Sequence, residues 1–103
     1  IFIEIFKDRS IRLAPVSMNE ARDMLLELKA HPILEGARGG RPLDIDALVD
    51  VICRISALAC AHPEISEIDL NPVIVYPKGM GVGIVDSRVF FAEESRVPAL
   101  GRR

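Results

Sequence analysis

The apolar residues at the start of the chain fall into two short runs. Residues 1–6 alternate weakly between apolar and polar, and residues 11–16 form a second apolar run. The polar residues 7–10, with the sequence KDRS, separate the two. Short apolar runs on either side of a polar turn are typical of a β-hairpin, so we predict that the chain opens with two antiparallel strands.

The next segment has the spacing of an amphipathic helix. Ser17 and Glu20 match a capping box, in which each side chain accepts a hydrogen bond from the backbone N–H of the other residue. We expect this helix to end near Ala30, because His31 precedes Pro32 and the residue before proline is disfavoured in the α region. Its apolar stripe consists of Met18, Ala21, Met24, Leu25 and Leu28.

A second helix is predicted after the glycine-rich segment EGARGGRP. Asp44 occupies its N-cap position, and Pro63 after His62 ends it. The glycine-rich segment has two open interpretations. Its backbone N–H groups and Arg38 or Arg41 bind a phosphate, or it is a flexible connection between helices. The apolar stripe of the second helix consists of Ile45, Leu48, Val49, Ile52, Ile55 and Ala59.

The stretch from Glu67 to Arg88 has the pattern of a further hairpin, with PKGMG as its turn. Side chains alternate between the two faces of a strand, so the residues of each strand divide into two sets. In the first strand we expect Ile68, Leu70 and Ile74 to face a core. The other face then carries Asp69, Asn71, Val73 and Val75. In the second strand one face carries Val82, Ile84, Asp86 and Arg88.

The turn of this hairpin decides which residues face each other. If Tyr76 pairs with Gly81, two pairs lie opposite one another, namely Asn71 with Asp86 and Asp69 with Arg88. A type I turn at residues 77–78 followed by a G1 bulge would shift the register by one residue and turn Asp86 away from Asn71. The sequence leaves both turns open.

The order of the predicted elements is strand, strand, helix, helix, strand, strand. This order is typical of an α+β fold, and we expect a mostly antiparallel four-stranded sheet with two helices packed on one face. At 103 residues the chain is long enough for one domain, 1–103, with a polar, frayed tail over about 93–103. Because it begins inside an apparent strand and without Met, we expect it to be a piece of a longer protein.

Charge and hydropathy exclude two classes of partner. The net charge is −2 and the charges are scattered, whereas nucleic-acid binding requires a basic face. The chain has no apolar run of about 18 residues, so no membrane span is predicted.

Cys53 and Cys60 lie on one predicted helix, about 10 Å apart along its axis, which is too far for a disulfide. Reduced cysteines and the lack of a signal peptide indicate a cytoplasmic protein.

The side chains of the second hairpin indicate a metal site. Asn71 and Asp86 offer an amide oxygen and a carboxylate, with no thiolate or imidazole beside them. Mg²⁺ prefers oxygen ligands and completes its coordination with water and substrate phosphates, so the pair predicts a magnesium site for a nucleotide.

Several motifs extend this prediction through a family resemblance. The first strand follows an E-x-D-x-N-P pattern and the second carries V-D-x-R, in the residues Glu67, Asp69, Asn71, Pro72, Val85, Asp86 and Arg88. This pattern resembles that of the ATP-grasp acyl-CoA ligases, above all the NDP-forming acyl-CoA synthetases. These include ADP-forming acetate–CoA ligase and are related to the succinyl-CoA synthetase β subunit. The segments IFIEIFKDRSIRLAPVS and SMNEARDMLLELKAHPILEGARGGRPLDIDALVD also resemble the family, so the likeness covers almost the whole chain.

The resemblance implies a fold and a set of roles. The chain would be the C-terminal subdomain of an ATP-grasp domain, with Asn71 and Asp86 holding Mg²⁺ against nucleotide phosphates and Glu67 and Asp69 near that centre. Arg88 has two open interpretations, a phosphate ligand or a surface partner of Asp69. Glu4 also stays open, since its strand borders the nucleotide cleft in the family and an exposed strand face explains it equally well.

The resemblance further implies an acid–thiol ligase of the NDP-forming type, with carboxylic acid and CoA as substrates and Mg²⁺ with ATP/ADP or GTP/GDP as cofactors. An upstream ATP-grasp lobe and a CoA-binding domain or subunit would be its partners, and this piece alone would be inactive. The family phosphohistidine matches neither His31 nor His62, which lie at predicted helix ends where the helix dipole favours a histidine. The alternatives are a regulatory module of a protein acetyltransferase and a non-enzymatic small-molecule-binding module.

Overall fold

The first helix begins where the sequence predicts. A computed structural model describes residues 8–92, and in it helix α1 spans Met18–Glu27. The capping box forms, because the Ser17 hydroxyl accepts the N–H of Glu20 at 3.1 Å and the Glu20 carboxylate accepts the N–H of Ser17 at 2.9 Å. These bonds satisfy backbone donors that the first turn of a helix otherwise leaves unpaired.

The predicted end of this helix is wrong. Leu28 already has an extended backbone, and a short helix α2 spans His31–Leu34 with Pro32 in its first turn. His31 is therefore at the start of a helix, and its interpretation as a residue at the negative end of a helix dipole is also wrong. A contact from a distant residue accounts for the early end, because the Asp8 carboxylate accepts the N–H groups of Lys29 at 2.6 Å and Ala30 at 3.0 Å.

The segment between α2 and the long helix is a closed loop with a single 3₁₀ turn, Ala37–Gly39. Its ends are joined by the Leu43 N–H, which donates to the Leu34 carbonyl at 2.9 Å. Arg38 lies in the left-handed region with φ of 62°, and it is exposed, as is Arg41. Both interpretations of this loop stay predictions.

Helix α3 spans Ile45–Ala61 and agrees with the prediction at both ends. Asp44 caps its N-terminus by accepting the Ala47 N–H at 3.1 Å, and His62 is its C-cap. Cys53 and Cys60 both lie on this helix as free thiols, as expected. No helix in the described part of the chain is long and apolar enough to cross a membrane.

The strands that follow are short and antiparallel. They are β1, Ile65–Leu70; β2, Val73–Val75; β3, Val82–Ile84; and β4, Ser87–Phe91. Strand β1 pairs with β4, and β2 pairs with β3. Each strand predicted for the second hairpin is thus divided in two, and the division falls beside Pro72. Proline has no N–H to donate, which interrupts a ladder of hydrogen bonds.

The α+β class and the antiparallel pairing are confirmed, but the sheet is less extensive than predicted. Between residues 8 and 92 the structure contains two two-stranded ladders, and residues 11–16 are not part of a strand. The other predicted strand of the opening hairpin, 1–6, lies outside the described residues, as does the tail from 93 onward.

The core lies between α1 and α3. Ala21, Leu25 and Val49 are buried in it, and the apolar residues packed around them are Leu28, Leu34, Ile45, Leu48, Ile52 and Cys53. On its other side α3 packs against β1, with an apolar cavity of about 420 Å³ between them. Helix α3 therefore lies on one side of the β1–β4 ladder, and α1 packs on the opposite side of α3.

Candidate functional site

The turn of the β2–β3 hairpin settles the register that the sequence left open. The Tyr76 N–H donates to the Gly81 carbonyl at 3.0 Å, and the Met80 N–H donates to the Pro77 carbonyl at 2.8 Å. Gly79 has φ of 85°, the positive value that a type II turn requires at its third residue. The Tyr76–Gly81 pairing is therefore the one that forms, and the alternative with a G1 bulge does not.

This register brings Asn71 and Asp86 opposite each other in the gap between the two ladders. The Asn71 N–H donates to the Asp86 carbonyl at 3.0 Å, and the Val85 N–H donates to the Pro72 carbonyl at 3.1 Å. Both side chains are exposed. Directly opposed residues of an antiparallel pair have Cβ atoms about 4.5–5.5 Å apart, close enough for two side-chain oxygens to share one cation.

The predicted division of the first strand into two faces holds only as far as Pro72. Ile68 and Leu70 line the apolar cavity beside α3, as expected, but Val73 lines the same cavity, although alternation predicts it on the opposite face. Ile74, predicted to face a core, is 43% exposed. The alternation changes phase between Leu70 at the end of β1 and Val73 at the start of β2, because Pro72 interrupts the ladder there.

The other predicted site residues lie along the β1–β4 ladder. Asp69 pairs with Arg88 as predicted, but the structure shows no ion pair between them among residues 8–92. Glu67 pairs with Phe90, next to a register shift in the ladder, and it is exposed. Glu4 lies outside the described residues, so its role stays a prediction.

The donor set at this position fits Mg²⁺ better than a softer metal. Among the described residues, no cluster of three or more His, Cys, Asp or Glu side chains is placed to hold a metal. The Asp86 carboxylate accepts the Ser87 N–H through Oδ1 at 2.9 Å, which orients it. A site with one amide and one carboxylate leaves most coordination positions to water and phosphate, as is usual for Mg²⁺ bound with a nucleotide.

One residue of the hairpin environment was recognised from sequence only as a helix cap. The Asp44 carboxylate accepts the Gly81 N–H through Oδ2 at 2.7 Å, in addition to capping α3 through Oδ1. The Gly81 N–H, and after it the Ala47 N–H, lowers the pKa of the Asp44 carboxyl, against the opposite effect of burial. A contact over 37 positions leaves no local signal, so the sequence could not show it.

Comparison with known proteins places these features in one family of domains. The family model described as an ATP-grasp domain matches residues 1–91. A curated relative from Archaeoglobus fulgidus, acetate–CoA ligase (ADP-forming) I, is 47% identical over 94 residues, which are 91% of this chain and 13% of that protein. The β subunit of acetate–CoA ligase (ADP-forming) II from Pyrococcus furiosus is 49% identical over 90 residues, 86% of this chain and 38% of that subunit.

The fold has a close match among solved structures. A dinucleotide-forming acetyl-coenzyme A synthetase 1 from Ca. Korarchaeum cryptofilum, in complex with coenzyme A and Mg-AMPPCP, has a TM-score of 0.83 at 43% identity. The match covers 89% of this chain and 42% of that one. The chain thus spans between about an eighth and two fifths of the length of these relatives.

Proposed function

We propose that this chain, which belongs to the ATP-grasp family and within it to the ADP-forming acyl-CoA synthetases, forms the metal-holding edge of their nucleotide site. Asn71 and Asp86 are the protein ligands of Mg²⁺ in this proposal. The observation that carries it is the hydrogen bond from the Asn71 N–H to the Asp86 carbonyl, because it fixes the register in which the two side chains are opposed.

The exposure of the pair supports this assignment. Asn71 and Asp86 are both exposed at the gap between the two ladders, so phosphate oxygens and water can reach a cation held between them. A bound Mg²⁺ neutralises the charge that develops on phosphoryl oxygens during transfer. The protein residues contribute by holding the cation in one position, since correct placement accounts for much of phosphoryl-transfer catalysis.

The neighbouring residues have supporting roles in this proposal. Arg88 is exposed two residues after Asp86, and its guanidinium is suited to bidentate contact with a phosphate. Glu67 and Asp69 contribute negative charge along the adjoining strand. The absence of an Arg88–Asp69 ion pair within the described ladder favours the phosphate interpretation of Arg88 over the surface-pair interpretation.

The activity that we propose for the full-length protein is the reversible conversion of a carboxylic acid, CoA and a nucleoside triphosphate into acyl-CoA, a nucleoside diphosphate and phosphate. ATP/ADP is the favoured nucleotide pair because the relatives are named ADP-forming and one solved relative holds Mg-AMPPCP. An upstream ATP-grasp lobe and a CoA-binding domain or subunit would complete the site, in keeping with the shares of the relatives that this chain spans.

The test is Asp86→Ala in the full-length protein. We expect kcat to fall about 10²-fold or more, equivalent to about 2.7 kcal/mol, because the missing ligand counts most where charge develops in the transition state. Asn71→Ala is expected to act in the same direction. Asp50→Ala is the matched control, since it removes the same carboxylate from an exposed position on α3.

Two measurements decide the outcome. Steady-state turnover as a function of Mg²⁺ concentration is expected to show a raised Mg²⁺ requirement for Asp86→Ala and no change for Asp50→Ala. Turnover of a folded Asp86→Ala protein within about twofold of the unsubstituted enzyme would show that Asp86 is not a ligand.

A further inference from the structure

The hairpin that carries the proposed metal ligands is attached to the start of α3 by several hydrogen bonds, which we name the Asp44 clamp. Its bonds join residues 42–44 to residues 76–81. They are Gly81 N–H to Asp44 Oδ2 at 2.7 Å, Asp44 N–H to the Tyr76 carbonyl at 2.8 Å, and Lys78 N–H to the Pro42 carbonyl at 3.0 Å. A bridge between Leu43 and Pro77 completes it.

Capping alone does not account for an aspartate at position 44. An N-cap uses one side-chain oxygen, and Ser, Thr or Asn serves as well. Here the second oxygen reaches Gly81, and the side chain is buried, at 8% exposed. Asp44 is the one buried polar or charged residue that the described part of the chain contains. A buried carboxylate needs hydrogen-bond donors, and two backbone N–H groups supply them, that of Ala47 three positions along the chain and that of Gly81 37 positions along it.

The Asp44 clamp forms hydrogen bonds to both ends of the turn that sets the register of the hairpin. Tyr76 and Gly81 are the residues that pair across the turn, and Asp44 binds the carbonyl of the first and the N–H of the second. A slip of one residue would remove Gly81 from the carboxylate. The same slip would turn Asp86 to the other face of its strand, away from Asn71.

We infer that Asp44 is a positioning residue, whose carboxylate fixes the register of the β2–β3 hairpin and thereby holds Asp86 opposite Asn71. The inference rests on the proposed function. Asp44 acts through the hairpin and not on the metal, because Gly81 and Asp86 are five positions apart, about 17 Å along an extended chain at 3.3 Å per residue. It thus resembles a supporting residue that orients a metal ligand from outside the coordination sphere.

The test compares Asp44→Ser with Ser17→Ala in the full-length protein. Asp44→Ser keeps a capping hydroxyl for α3 but has no second oxygen for Gly81. Ser17→Ala removes the cap of α1, whose hydrogen bonds in the described part of the chain go to Glu20 and Ala21 and not to the hairpin, and so serves as the control for loss of a helix cap. Asp44→Asn is a second variant of the same shape, with a single acceptor oxygen.

Two readouts separate positioning from stability. Amide hydrogen exchange at residues 76–86 is expected to accelerate at least tenfold in Asp44→Ser and to stay unchanged in Ser17→Ala. The Mg²⁺ concentration for half-maximal turnover is expected to rise about tenfold in Asp44→Ser, with a lower kcat and an unchanged KM for CoA. If Asp44→Ser does not fold, Asp44→Asn is expected to show the same changes in both readouts.

The outcomes distinguish this inference from the proposed function. In one outcome, Asp44→Ser leaves both the amide exchange at residues 76–86 and the Mg²⁺ requirement unchanged while Asp86→Ala is inactive. That result would overturn the positioning role of Asp44 but would leave the proposed metal site intact. Full turnover by Asp86→Ala would overturn both. A raised Mg²⁺ requirement equal in Asp44→Ser and Ser17→Ala would show general destabilisation and also overturn the positioning role.

Discussion

Removal of the Val49 side chain tests the account of the core most directly. Val49 is 0% exposed and contacts Ala21 and Leu25 across the interface of α1 and α3. Val49→Ala removes two methyl groups, at about 0.8 kcal/mol for each buried carbon. The space left behind adds on the order of 1 kcal/mol, because the neighbouring helices can collapse only partly. We therefore expect the free energy of unfolding to fall by about 2–3 kcal/mol.

The matched control makes the same chemical change at an exposed position. Val85 is 60% exposed, so Val85→Ala is expected to change stability by less than about 0.5 kcal/mol. Urea unfolding of the 103-residue chain, followed by far-UV circular dichroism, measures both. With a slope of about 1–2 kcal/mol per molar urea, the midpoint for Val49→Ala falls by about 1–3 M. Equal midpoints for the two variants would refute the placement of Val49 in the core.

Two further predictions concern the loop and the N-terminal segment. Gly36→Ala is expected to lower the urea midpoint more than Gly39→Ala. Both glycines have positive φ, which costs a residue with a side chain about 1–2 kcal/mol. Only at Gly36 would an added Cβ also lie 2.9 Å from the Gly40 carbonyl oxygen. Equal shifts of the urea midpoint in the two variants would contradict the close approach of Gly36 to the Gly40 carbonyl. Hydrogen bonds from Arg12 and then Ser10 lower the pKa of Glu27 from 4.5 to about 2. A carboxyl whose pKa is lowered in the folded state stabilises the fold at pH values above its unfolded pKa. The free energy of unfolding of the native chain is therefore expected to exceed that of Glu27→Gln at neutral pH, and this difference is expected to vanish as the pH falls from about 4.5 to about 2. A difference in the free energy of unfolding that persists at pH 2 would contradict this.

The local elements were predictable where the signal lies within one segment. The capping box at Ser17 and the N-cap at Asp44 follow from residues three positions apart, and both helix starts agree with the structure. The antiparallel hairpin follows from its apolar strands and glycine-containing turn. The early end of α1 was not predictable, because it depends on the Asp8 carboxylate, which is 21 positions from Lys29.

The candidate site was predictable in its chemistry and only partly in its geometry. The types of residue, an amide and a carboxylate without sulfur or imidazole, indicated Mg²⁺ from the sequence, and this assignment stays a proposal. The change of face at Pro72 was not foreseen, because strand alternation assumes an uninterrupted ladder. It places Val73 with Ile68 and Leu70 beside α3.

The sequence by itself determined where the two longer helices begin, that the class is α+β, and which oxygen donors the second hairpin carries. These properties depend on neighbours a few positions apart, where steric and hydrogen-bonding preferences act directly. Only the tertiary structure decided the register, since both turns satisfied the local preferences of PKGMG equally well. The choice is made by Asp44, because its carboxylate at the start of α3 is bonded to the N–H of Gly81 in the register that forms.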